Sequence, residues 1–151
     1  MAVVLVTGVH PHNLGAVQML LSVQQALPEH TVAVPWDWPA SHYGLARVGR
    51  ETWTGRADAP IKMQVRAWLR ERFGLARRPD VVLDASGFGL SDQWGALKAG
   101  RHATNVAYWA RRGVPTVYLP QAFGPFEDPA VAAAAKQALK GAALVFARDP
   151  T

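Results

Sequence analysis

VTGVHPHNLGAVQMLLSV, Val6 to Val23, joins the end of an apolar run to a glycine turn and the start of an apolar helix. The run Ala2–Thr7 is continuous and β-rich, which suits a strand buried on both faces. From Leu14 to Leu27 the period changes: Val17, Leu20, Leu21, Gln24 and Leu27 share one helical face. Strand, tight turn and helix form the opening unit of a parallel α/β sheet.

The rest of the chain repeats that alternation. Further strands are expected at His30–Val34, Asp80–Ala85, Pro115–Leu119 and Ala143–Ala147. Helices are expected between them. Ile61–Phe73 carries Ile61, Val65, Trp68 and Leu69 on one face, with Gly74 as a C-terminal cap. Ala99–Arg112 ends at Gly113 in the same way, and Asp128-Pro129 caps and starts a helix that Gly141 closes. Right-handed crossovers then give an α/β, doubly wound Rossmann-like parallel sheet.

Length and composition agree with one domain of this kind. The chain has 151 residues, half of them hydrophobic, enough for a core and too apolar for disorder. There is no cysteine, which excludes disulfides and thiolate metal sites and fits a reducing cytoplasm. Ala2–Val6 is too short for a signal sequence or a membrane span. A cytoplasmic protein is expected. The net charge is +5, and nine basic residues face three acidic ones between Arg47 and Arg78. A solvated helix face accounts for that run; an anion-binding flank for phosphorylated or acidic sugars is the functional alternative. Nucleic acid is not expected, since no helix-turn-helix, zinc-finger or RNP-type motif accompanies the charge.

Ligands of such sheets bind beyond the carboxyl ends of the strands. That rule selects the loops Gly8–Asn13, Pro35–Pro60, Ser86–Lys98 and Pro120–Asp128. The first lacks G-x-G-x-x-G, because Gly8 and Gly15 stand seven apart, and it lacks the lysine of a phosphate-binding P-loop. His10 and His12 could suggest a metal pair, but no Asp, Glu or Cys accompanies them, so no metal is expected. Asn13 suits the helix N-cap, and Gly15 leaves the helix N-terminus open to an oxyanion or a hydroxyl-rich ligand. A plain cap and a ligand site are compatible there. The second loop is long for a connection inside a compact domain, which marks functional or mobile segments.

The third loop reads DASGFGLSDQWG, Asp84 to Gly95. Ser86, Gly87 and Gly89 allow a tight turn. Asp92, Gln93 and Trp94 then offer a carboxylate, an amide and an aromatic face, the groups a sugar site uses. A capping Asp92 and a packed Trp94 explain the same residues. In the fourth loop, LPQAFGPFEDP, Gln121 stands at the strand end facing the expected crevice, and prolines stiffen the turn. No nucleophile triad appears: Ser86 precedes its glycines, so Gly87-Phe88-Gly89 is not G-x-S-x-G.

Four stretches together resemble the polysaccharide pyruvyl transferases: Asn13-Leu14-Gly15-Ala16-Val17-Gln18-Met19, Asp84–Phe88 with Asp92–Gly95, Leu119–Phe126, and Ala147-Arg148-Asp149. Their order and spacing span the chain. Other branches of the family carry aspartate where this chain has Ala16, so that residue's role does not transfer. The resemblance implies transfer of an enolpyruvyl unit from phosphoenolpyruvate to two sugar hydroxyls, forming a cyclic ketal in polysaccharide biosynthesis. It implies a two-domain GT-B-like architecture with residues 1–151 as the N-terminal, acceptor-facing domain. The donor-binding His and Arg would come from a further domain or partner chain. Phosphoenolpyruvate would be a substrate; no cofactor is expected. Asp92, His10 and His12 are then the candidate catalytic groups. Asn13, Gly15, Ser86, Gln93, Trp94, Gln121 and Arg148 are the candidate substrate contacts. A catalytically inert sugar-binding domain and a fragment of a GT-B-like glycosyltransferase remain the alternatives.

Overall fold

The computed structural model of the chain describes residues 1–10, 12–35, 40–48, 61–74 and 77–148. Among them a six-stranded sheet forms the centre, with neighbours pairing parallel throughout. The elements run β1 (Val3–Thr7), α1 (Leu14–Ala26), β2 (Thr31–Pro35), β3 (Ala46–Val48), α2 (Ile61–Arg72), β4 (Val81–Asp84), α3 (Gly95–Arg111), β5 (Thr116–Gln121), α4 (Pro129–Gly141) and β6 (Leu144–Ala147). The spatial order is β3-β2-β1-β4-β5-β6. This is the doubly wound Rossmann-like arrangement, and its direction reverses between β1 and β4.

Alternation along β1 explains why both faces must be covered. Val4 and Val6 join Val17 and Leu20 of α1 in one buried cluster. Val3 and Leu5 point the other way and join Trp109 of α3. A third cluster links α3 and α4 through Ala99, Val106, Ala135 and Ala138, with Tyr118 of β5 beneath them. Burying a side chain of this size is worth about 1.5–3 kcal/mol, so these three clusters carry most of the drive to fold.

Most expected elements are present, with ends that differ by a few residues. Asn13 caps α1, its Oδ1 accepting from the Ala16 amide at 3.2 Å. Leu21 is 40 % exposed, and Ala16 takes its expected place on the buried face. α3 begins at Gly95 rather than Ala99. The connection after β2 contains a 3-10 turn at Ala40–Tyr43 and the unexpected strand β3, paired to β2. Residues 36–39 and 49–60 of that connection, with Arg50 and Arg56 of the basic run, lie outside the described residues. The face expected to bury α2 stays open: Ile61, Val65, Trp68 and Leu69 are all exposed. Among the described residues no helix is long and apolar enough to cross a membrane.

Candidate functional site

Register brings the two strands at the reversal point into line: Thr7 of β1 stands beside Asp84 of β4. Their loops then diverge, leaving an open cleft of about 1200 Å³ beyond the carboxyl ends. One wall comes from the β1 loop and the N-terminus of α1, with His10, His12, Asn13 and Gly15. The opposite wall comes from the β4 loop and α3, with Ser86, Trp94, Lys98, Arg101, His102 and Asn105. Arg148 closes the far side after β6.

At the cleft floor the two loops touch. Gly8 has a φ of +75°, and a Cβ there would lie 2.6 Å from the Ser86 amide nitrogen. Gly89 leaves a similar space: a Cβ would sit 2.5 Å from Ser86 Oγ and 2.8 Å from His102 Nε2. The glycines therefore let Ser86 and the His102 imidazole approach one another.

His102 and Asp84 form the ionisable centre of the cleft. His102 Nδ1 lies 3.4 Å from Asp84 Oδ2, with both side chains nearly covered. Burial alone would raise the Asp84 carboxyl. Hydrogen bonding and charge from His102, with hydrogen bonds from Ser86, outweigh it and hold the carboxyl below its usual range. Asp84 therefore stays ionised and orients the ring, leaving Nε2 on the Gly89 side. Tyr118 lies 6.1 Å from His102, ring to ring. Burial, then the charge of Asp84, pushes its phenol upward, so it stays protonated.

Trp94 sits at the edge of the cleft, 45 % exposed, its indole Nε1 donating to the Phe88 carbonyl at 2.6 Å. The Lys98 ammonium lies 3.7 Å from that ring's centroid. Partial burial lowers the Lys98 amine below its ordinary value, and the nearby Asp84 charge partly offsets this. His10 and His12 lie on the rim with their rings tilted 44° to one another and centroids 5.3 Å apart, and His10 Nδ1 accepts from the His12 amide at 3.4 Å.

Three expected site residues do not line the cleft. The Asp92 carboxylate accepts from the Glu127 amide at 2.6 Å and the Asp128 amide at 3.4 Å, so it ties the β4 loop to the turn after β5. Gln121 is buried: its Oε1 accepts from Ser86 Oγ at 3.0 Å, and its Nε2 donates to the Asp84 carbonyl at 3.4 Å. Gln93 points to solvent. Backbone bonds reinforce this brace, with Ala122 donating to Gly87, Gly124 to Leu90 and Asp92 to Pro125. His10, His12, Asn13, Gly15, Ser86, Trp94 and Arg148 all line the cleft.

Sequence reading missed Asp84, Lys98, Arg101, His102 and Asn105. The last four stand at i, i+3, i+4 and i+7, a polar stripe on one helix face. That stripe was a readable signal, masked by the search for apolar periodicity. Among the described residues no group of three His, Cys, Asp or Glu side chains could hold a metal ion.

A parallel α/β sheet with an open cleft at its reversal point, lined in part by cationic side chains, defines a Rossmann-like domain. A family model described as polysaccharide pyruvyl transferase matches residues 13–151, and the chain belongs to that family, which is one of transferases. Comparison with curated proteins and with solved structures gave no match.

Proposed function

We propose that this chain supplies the acceptor-binding side of a pyruvyl transferase active site. In this reading phosphoenolpyruvate donates, and two hydroxyls of a sugar accept. A second Rossmann-like domain, in a GT-B-like pairing, supplies the donor contacts. The observation that carries the reading is the Asp84–His102 pair, set in the wall of a saccharide-sized cleft beside Trp94 and the N-terminus of α1.

The chemistry requires proton movement at two places. The donor methylene takes up a proton to become a methyl group, which leaves the adjacent carbon electron-poor. One sugar hydroxyl attacks that carbon and loses its proton; phosphate departs; the second hydroxyl closes the ketal and loses its own. One hydroxyl proton balances the methyl group and the other leaves with phosphate. In this reading His102 accepts a hydroxyl proton at Nε2, with Asp84 holding Nδ1 and fixing the ring. Ser86 and Asn13 orient hydroxyls, and Trp94 offers an apolar face to the ring. His10 and His12 are proton carriers at the rim, and Arg148 is an anion contact. Asp92 acts through the loop it braces.

Replacing His102 tests this. In protein that includes the donor-binding domain, H102Q is expected to lower acceptor-dependent phosphate release from phosphoenolpyruvate by on the order of 10²-fold or more, with the circular dichroism spectrum unchanged. Wild-type turnover in a folded H102Q protein would remove His102 from the reaction.

A further inference from the structure

The charge balance of the cleft is one-sided. Among the described residues its lining holds Lys98, Arg101 and Arg148, three histidines, and a single carboxylate, Asp84. Asp84 is engaged by His102 and by the Ser86 amide. The nearby Asp92 carboxylate is engaged by backbone amides outside the cleft. Among the described residues neither Lys98 nor Arg101 has a carboxylate within ion-pair distance. A neutral glycan needs hydroxyl-binding groups and an aromatic platform, not two cations on one helix face.

Placement narrows the ligand further. Lys98 and Arg101 are three residues apart on α3, so their side chains are neighbours on the cleft wall. Lys98 also overhangs the Trp94 ring. A sugar lying against the open part of Trp94 brings a substituent on its ring toward Lys98, with Arg101 one turn further along the same helix. Partial desolvation of the Lys98 amine makes an anion beside it more favourable than in open water.

We propose that Lys98 and Arg101 form a phosphate subsite for the acceptor, which is a glycosyl phosphate ester rather than a neutral glycan. This rests on the reading of the cleft as the acceptor side. Arg101 supplies a planar fork to the phosphate oxygens, and Lys98 supplies a point charge between phosphate and indole.

The test is equilibrium binding by calorimetry, with glucose, glucose 1-phosphate and phosphoenolpyruvate as probes. Glucose 1-phosphate is expected to bind at least about tenfold more tightly than glucose, the effect of one or two charge-assisted hydrogen bonds. The K98Q/R101Q variant, altered only at two side chains of the α3 face that lines the cleft and checked by its thermal unfolding, is expected to abolish that preference. Equal binding of the two sugars, no measurable binding of glucose 1-phosphate, or a preference that survives in the double variant overturns the proposal. So does phosphoenolpyruvate binding that depends on these two residues while glucose 1-phosphate binding does not, since the subsite would then belong to the donor. No turnover is needed for any of these readings. A phosphate preference in this chain, with no ketal formed from phosphoenolpyruvate once the donor-binding domain is also present, would leave the subsite standing and remove the pyruvyl-transfer reading instead.

Discussion

Gly8 and Ser86 meet at the cleft floor, and each constrains the other. The positive φ of Gly8 disfavours a side chain, and the space that a Cβ would need is filled by Ser86 backbone. Gly8→Ala is expected to cost roughly 2–5 kcal/mol, combining left-handed strain with overpacking. Urea unfolding reads this directly; a loss under about 0.5 kcal/mol would mean the loops can separate without penalty. Residue types near the cleft were readable, but not their uses. Asp92 and Gln121 have the chemistry of sugar contacts. Each spends its polar atoms on backbone or on Ser86. Which atoms face inward depends on how two loops fold against one another, and those loops are 35 residues apart in sequence.

Helix ends were legible because their signals are local. Asp128 accepts from the Ala130 amide at 2.7 Å, with Pro129 in the first turn of α4. Asp128→Ala is expected to destabilise the protein by about 1 kcal/mol, measured as a lower urea midpoint with unchanged slope. An unchanged midpoint would show that packing of α4 on α3 holds the helix without its cap. β3 escaped notice because three residues carry no periodicity, and its pairing with β2 is a tertiary fact. The cationic stripe of α3 is different. Its spacing is written in the chain, yet polar spacing alone does not say whether a helix face looks at solvent or at a cleft.

Parallel pairing of β1 with β4 places Asp84 in the interior end of the cleft, so the whole domain feels its ionisation. Its folded carboxyl sits below the ordinary value of 3.8. A depressed carboxyl contributes stability that is fully present above the ordinary value and is lost as pH falls through the folded one. Asp84→Asn is therefore expected to cost about 3 kcal/mol near neutral pH, the scale of breaking one partner of a buried pair. That deficit should shrink as pH drops below about 4, so the two unfolding curves converge in acid. A pH-independent difference would mean that Asp84 acts by shape and not by charge. The continuous apolar runs, the glycine turns and the helix caps were enough on their own to specify a doubly wound parallel sheet, because hydrophobic period and turn chemistry are local properties of the chain. The order of the strands made the site. Only tertiary packing set Thr7 beside Asp84, Asp84 against His102 and the face of α3 across from the N-terminus of α1, because each of those contacts joins residues far apart in sequence.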